Sequence, residues 1–297
     1  MNKQESIINK RQKLHAIRVL RDRIFVVGFA LAVVVGILGL AALLFDVLID
    51  GLPFLNINFL SSYASRKAEN SGILAPLAGT IWIVGMTALL TIPIGVGTAI
   101  YLEEFASKNR FNRLIELNIA NLAGVPSVIY GLLGLAVFVQ FLFNGSRNVT
   151  AGALTMTLLI LPIVAIASQE AIKAVPSSYR DAAYAMGANR WQVVKAVVLP
   201  QALPGMMSGI ILALSRAIGE SAPILIISSL VWVTFIPTSP DSKFTVLPLQ
   251  IFTWISQPQH SFRGIAAAAI IVLLIVLLSM NGIAIWIRSK YQSRPDQ

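Results

Sequence analysis

"VPSSYRDAAYAMGANRWQVVKAVVLPQALPG", residues 175–205, is a polar stretch set between two long apolar runs. Pro176 followed by Ser177 and Ser178 is a helix-start signal, and Ser178 with Asp181 three residues on fits a capping box. Asp181, Ala182, Ala183 and Ala185 offer a small-residue surface that another backbone can approach closely. Gly187 is placed to end the helix in a left-handed cap, which glycine adopts without a Cβ clash. Arg190 to Val198 then resumes helix until Leu199 and Pro200. The expectation is helix, tight turn, helix, with a compact exposed corner. On shape alone this is either a solvated hairpin between spans or a docking surface.

The flanking runs belong in a membrane. Hydrophobic residues make up 56% of the 297 positions and charged residues 12%, with a mean hydropathy of +0.77. That balance lies outside the range of ordinary soluble domains. Crossing a hydrocarbon core of about 30 Å takes roughly 20 apolar residues in a helix. Six such runs are read: Ile24–Phe45, Ile73–Leu102, Leu117–Phe143, Val149–Ser168, about Ala202–Val231, and Ile265–Ile287. The first exceeds the usual length of a signal-peptide core and lacks a small-x-small cleavage site, so it reads as an uncleaved span.

The expected organisation is therefore a basic tail (1–23), a first membrane helix (24–49), an extracytoplasmic loop (50–72), a six-span bundle completed by residues 73–287, and a short tail (288–297). Residues 103–116 alternate charge with Phe and Leu at helical spacing, the pattern of an amphipathic connector lying on the membrane. Residues 169–201 contain the corner quoted above. The fold class is all-α, with no internal repeat.

Charge placement sets the orientation. Of the 23 lysines and arginines, seventeen fall in the N-terminal tail, the 103–116 connector, the 169–201 segment and the C-terminal tail. Five lie in the opposite loops (Arg66, Lys67, Arg147, Lys243, Arg263), and Arg216 sits inside a span. Positive residues are retained on the cytoplasmic side, so both termini and the corner are expected there. The net charge of +10 is accounted for by this placement and requires no nucleic acid. With no cysteine and only His15 and His260, the chain offers no thiolate or histidine cluster for a metal.

The corner also resembles a known signature. "DAAYAMGANRWQVVKAVVLP" is similar to the motif of bacterial ABC-importer permeases, E-A-A, three residues, G, nine residues, I-x-L-P. Asp181, Ala182, Ala183, Gly187, Val197, Leu199 and Pro200 stand in its positions, with Asp for Glu and Val for Ile. In that family the motif forms coupling helices that insert into the ATP-hydrolysing subunit. The resemblance implies a type I importer fold and docking through Asp181 to Gly187. No G-x-x-x-x-G-K-[ST] phosphate loop occurs in the chain, so ATP and magnesium are expected on a separate ATPase and no cofactor on this one.

A second feature is "SRAIGESAP", residues 215–223, which puts Arg216 and Glu220 deep inside the fifth run. Counted from Pro204, Arg216 is about 18 Å in, near the midplane. A charge there costs at least about 2.5–3.5 kcal/mol and usually faces a bundle interior or an aqueous path. One reading is a structural i, i+4 ion pair, although Arg before Glu is the weaker order. The other is a substrate station: arginine's planar fork matches the oxygens of a tetrahedral oxyanion. Glu220 would then moderate the positive field so that the ion is released as well as bound. Pro223 either frees carbonyls beside the path or makes a packing kink.

"SRAIGESAPIL" and "LAGVPSVIYGLLGL" (122–135) resemble the permeases of phosphate ABC importers, the PstA-type subunit in particular. The resemblance implies phosphate as substrate, Arg216 and Glu220 on its path, and a larger assembly. Its members would be a homologous PstC-type permease, two ATP-binding subunits and an extracytoplasmic phosphate-binding protein. Ser127 and Tyr130, with Pro126, either line the same path or bond a neighbouring helix. The loop 232–263 either meets the binding protein or anchors at the interface through Trp254. Sulfate and molybdate permeases share the architecture. A proton-coupled anion carrier would more commonly show inverted repeats, and a membrane enzyme would need a nucleophile and base that are not evident.

Overall fold

The computed structural model describes residues 3–107, 109–228 and 233–291; these are mostly helical, with no strand among them. Lys108, the expected end of the fifth span at Val231, Trp232, and Arg294 lie outside the described residues. The chain divides into two units, residues 1–50 and 51–297. The first is essentially one helix, α1 (Lys3–Gly51). Its uncharged stretch Ile24–Phe45 runs about 33 Å, sufficient to cross a bilayer.

The second unit carries the rest. A short α2 (Ile57–Ser61), capped by Asn56, leads to the long α3 (Leu74–Ile100). An amphipathic α4 (Arg110–Ala123) and α5 (Ser127–Leu133) follow, then α6 (Val149–Lys173). Next come α7 (Ser177–Ala185), α8 (Arg190–Val193), α9 (Leu199–Gly219) and α10 (Ala222–Ser228). The chain closes with α11 (Leu247–Ile255) and α12 (Ser261–Tyr291). Among the described residues, five helical stretches are long and apolar enough to cross a membrane, and the α4–α5 pair makes a sixth if counted as one bent span.

Helices α3, α6 and α9 pack against one another at the centre, around Ile83, Met156, Ile160, Val164, Ile210 and Ala213. Small residues bring α9 onto α6. A Cβ on Gly209 would collide with that of Ala167, and one on Gly205 would come within 2.9 Å of that of Ala171. A second core, with Leu247, Trp254, Phe262 and Ile265, joins α11 to α12.

Three departures from sequence expectation have local causes. The third apolar run is not one straight helix: α4 and α5 meet at 106° across Gly124–Pro126. Proline disfavours the α conformation at the preceding residue, so the run breaks there although its hydropathy does not. Leu117–Ala123 therefore belongs to the connector helix, and the spanning part starts at Ser127.

The helix after the corner does not stop at Leu199 and Pro200. Residues Val194–Val198 widen into a π turn in which the Leu199 N–H reaches the Val194 carbonyl. That widening accommodates Pro200, which lacks a donor and would clash in a regular ladder. Helix α8, the π turn and α9 thus form one 30-residue rod, Arg190–Gly219.

At the far end of α3 a similar π turn, Tyr101–Phe105, carries Glu103, Glu104 and Phe105. These residues extend the span; they are not part of the amphipathic connector.

Candidate functional site

The corner folds as helix, turn, helix, with one change in its caps. α7 begins at Ser177 with Pro176 as N-cap and no side-chain cap, so Ser178 already lies inside the helix and the expected Ser178–Asp181 box does not form. The reciprocal box is at the next helix start. The Asn189 side chain accepts from the Gln192 N–H, and the Gln192 side chain accepts from the Asn189 N–H. Gly187 takes φ +82°, the left-handed turn its position demanded.

Around that turn Asp181, Ala182, Gly187 and Pro200 are exposed, together with Tyr179, Tyr184, Met186 and Trp191. Met186 is 88% exposed. Large apolar side chains gathered on an otherwise polar corner are the composition of a contact surface. Ala183 and Leu199 have a different job: both pack on the small core of Ala99, Ile172, Val193 and Val198 that holds the corner against the bundle.

Sequence reading missed the residues that fasten this corner. Arg180, in the middle of α7, donates from Nε (3.1 Å) and Nη2 (2.8 Å) to one carboxylate oxygen of Glu104. It also donates from Nη1 to the Val175 carbonyl (2.6 Å) and from Nη2 to the Ile172 carbonyl (2.9 Å), beyond the end of α6 and in its last turn. Beside it the Phe105 and Trp191 rings lie 6.3 Å apart, and the Arg190 guanidinium sits 5.5 Å from the Phe105 ring. Glu103 accepts from Gln169 (3.3 Å) and pairs with Lys173 (3.4 Å). The only advance signal was a carboxylate pair, "YLEEF", directly after an apolar span.

Arg216 stands in the last turn before a break and Glu220 within it. α9 ends at Gly219, Glu220 adopts an extended backbone, and α10 starts at Ala222. Pro223 does not kink a continuous helix. It lies in the first turn of α10, where a missing N–H costs nothing. Its Cα would lie 2.8 Å from a Cβ on Gly131, which fixes α10 against α5.

Arg216 Nε lies 3.7 Å from Glu220 Oε2, an ion pair just beyond hydrogen-bond reach. The Glu220 side chain is 18% exposed and that of Arg216 53%. Among the described residues no hydrogen bond uses the Arg216 side chain. Five donors are thus presented from a predominantly apolar rod, which demands water, a partner or an anion opposite them.

The pair is not at the middle of its helix. Arg216 follows Arg190 by 26 residues, about 39 Å of the rod. Glu220 shares a cavity of about 10 Å³ with Thr80, Ile83, Val84, Ala217, Ile218, Ile224 and Val246. Ile83 precedes Glu104 by 21 residues, about 32 Å of α3. The pair therefore lies in the half of the bundle remote from the corner. Its cavity admits no more than one water, so any anion meets the pair from the exposed Arg216 side.

Tyr130 is 5% exposed, and its hydroxyl donates to the Leu122 carbonyl at 2.7 Å. That carbonyl, in the last turn of α4, also accepts the Val125 N–H at 3.1 Å, so the hydroxyl is a second donor that ties α5 to the bend. Ser127 is the first residue of α5 and is half-buried, while Pro126 is exposed. No hydrogen bond among the described residues joins Ser127 or Tyr130 to Arg216 or Glu220. On the loop side, Arg147 donates to the Ile226 and Ile227 carbonyls at 3.2 and 3.1 Å, capping α10. Trp254 is fully buried between α11 and α12, so it is a core residue and not an exposed interfacial anchor.

Comparison with known proteins places this geometry. The probable ABC transporter permease YqgI of Bacillus subtilis is 32% identical over 272 residues, covering 88% of this chain and 92% of that one. The phosphate transport system permease PstA 1 of Mycobacterium tuberculosis is 34% identical over 218 residues, 73% of this chain and 70% of that one. Among solved structures, an inward-facing MetNI methionine ABC transporter matches with a TM-score of 0.60 at 18% identity, over 72% of this chain and 94% of that one. A bacterial transporter of alginate matches at 0.57 and 16%, over 73% and 79%. Residues 91–292, from the later turns of α3 through α12 and including the corner and the ion pair, match the binding-protein-dependent transport system inner membrane component, and the chain is a multi-pass membrane permease of that family.

Proposed function

We propose that the chain is the PstA-type permease subunit of an ATP-driven phosphate importer in the bacterial inner membrane, with both termini and the α7–α8 corner on the cytoplasmic side. The corner docks an ATPase subunit that binds ATP and magnesium. Asp181, Ala182 and Gly187 meet that subunit, while Ala183, Leu199 and Pro200 set the shape of the surface. Two such ATPases, a PstC-type permease and an extracytoplasmic phosphate-binding protein complete the assembly.

The observation that carries the phosphate reading is Arg216. Its guanidinium makes no hydrogen bond among the described residues and projects from a membrane rod in a chain similar to permeases named for phosphate transport. A surface of that kind is costly against lipid, so a second permease subunit or an aqueous path covers it. An oxyanion passing there finds a planar bidentate donor. The adjacent carboxylate keeps the site from holding a fully ionised anion too strongly and can accept the proton of a protonated phosphate.

The test is ATP-dependent uptake by the reconstituted assembly with phosphate offered against sulfate and molybdate. Preference for phosphate supports the reading. Preference for sulfate or molybdate reassigns the substrate without disturbing the family.

A further inference from the structure

Two rods, α3 and the Arg190–Gly219 rod, each run from the corner to the ion pair. α3 carries Glu104 and Phe105 at one end and Ile83 and Val84 beside Glu220 towards the other. The second rod carries Arg190 and Trp191 at its start and Arg216 in its last turn. At the corner the two are joined by the Phe105–Trp191 ring pair and the Arg190–Phe105 contact. Helix α7 is held to α3 by the Arg180–Glu104 ion pair and to the end of α6 by Arg180's bonds to the Ile172 and Val175 carbonyls.

We propose that Arg180 and Glu104 form the mechanical linkage through which movement of the docked α7 helix is passed to α3 and α6, making both positioning residues for coupling ATP hydrolysis to transport. The inference rests on the docking reading above. Glu104 is 7% exposed and Arg180 contributes four hydrogen bonds from one guanidinium to three partners. A carboxylate and a guanidinium this well buried and this fully bonded move together, since separating them strands a buried charge. The other links between corner and bundle, the Phe105–Trp191 rings, the Arg190–Phe105 contact and apolar packing with Ala183 and Ala188 in it, are less directional than this set of charged hydrogen bonds. The π turn that holds Glu104 replaces the regular ladder with a single widened turn at the same place, a common site of adjustable geometry in helices.

The experiment uses the full assembly with its ATPase subunits, reconstituted in proteoliposomes. Glu104→Ala, Glu104→Gln and Arg180→Lys are compared with the unaltered chain for recovery of the ATPase subunit, ATP hydrolysis and phosphate taken up. The expected result for Glu104→Ala and Arg180→Lys is full ATPase recovery, hydrolysis within about twofold of the original, and at least a tenfold fall in phosphate moved per ATP. Glu104→Gln, which retains the acceptor oxygen, should fall less. Unchanged phosphate per ATP in Glu104→Ala and Arg180→Lys overturns the linkage. So does loss of the ATPase subunit from Glu104→Gln, because that marks a role in shaping the docking surface alone. If the unaltered chain recovers no ATPase, the docking reading itself fails, an outcome distinct from either.

Discussion

Arg180 and Glu104 stand 76 residues apart in the chain and share one carboxylate oxygen through two donors, at 3.1 and 2.8 Å. The pair converts a short exposed helix into a part of the membrane bundle. At the other end of the same bundle, Arg216 and Glu220 are held 3.7 Å apart at a helix break. α3 and the Arg190–Gly219 rod reach both places, so the ion pair and the corner are the two ends of one frame.

Gly187 is expected to tolerate little. Its φ of +82° penalises a Cβ by roughly 1–2 kcal/mol even though the space around it is open. Gly187→Ala should lower thermal stability modestly and weaken ATPase recovery. Gly187→Trp, which also projects a bulky ring from the exposed corner, should abolish transport while membrane insertion remains intact. Insertion measured by membrane fractionation and docking by co-purification separate the two effects.

Tyr130 is expected to act on stability. Tyr130→Phe removes one of the donors to the Leu122 carbonyl, which keeps its bond from the Val125 N–H, and should cost about 0.5–1.5 kcal/mol. The melting temperature of the purified protein should fall, with the apparent affinity for phosphate unchanged. A changed affinity at unchanged melting temperature would put the hydroxyl on the substrate path.

The close contact of α9 with α6 predicts steric failure. Gly209→Val drives side-chain atoms into Ala167 and should destabilise by about 1–3 kcal/mol or more, because both backbones are held by their own cores. Gly85→Ala, where nothing lies within 4 Å of the new Cβ, should leave stability nearly unchanged. Thermal unfolding of the two variants in the same detergent checks the contrast.

Much of this was legible in sequence, and the limits are physical. The corner was readable because its signals are local: Pro176, Gly187 and the spaced alanines each act within a few residues. The six apolar runs were readable because bilayer thickness fixes helix length. The bend at Gly124–Pro126 was not, since hydropathy averages across it. The π turn before Pro200 hid as well, because a helix can absorb a proline by widening instead of stopping. Arg180 and Glu104 were invisible as a pair because nothing local ties residues on α7 to the end of α3. The length of the rod was hidden for a related reason: it starts at Arg190, so Arg216 stands in its last turn, which counting from Pro204 did not show.

The most direct measurement is phosphate uptake by proteoliposomes holding the assembly, with the unaltered chain and with Arg216→Gln, in the presence and absence of ATP on the corner side. The account predicts ATP-dependent uptake that favours phosphate over sulfate and molybdate, and a fall of at least tenfold in Arg216→Gln with the ATPase subunit still bound. Phosphate uptake by this chain alone without an ATPase, or normal uptake in Arg216→Gln, would contradict it.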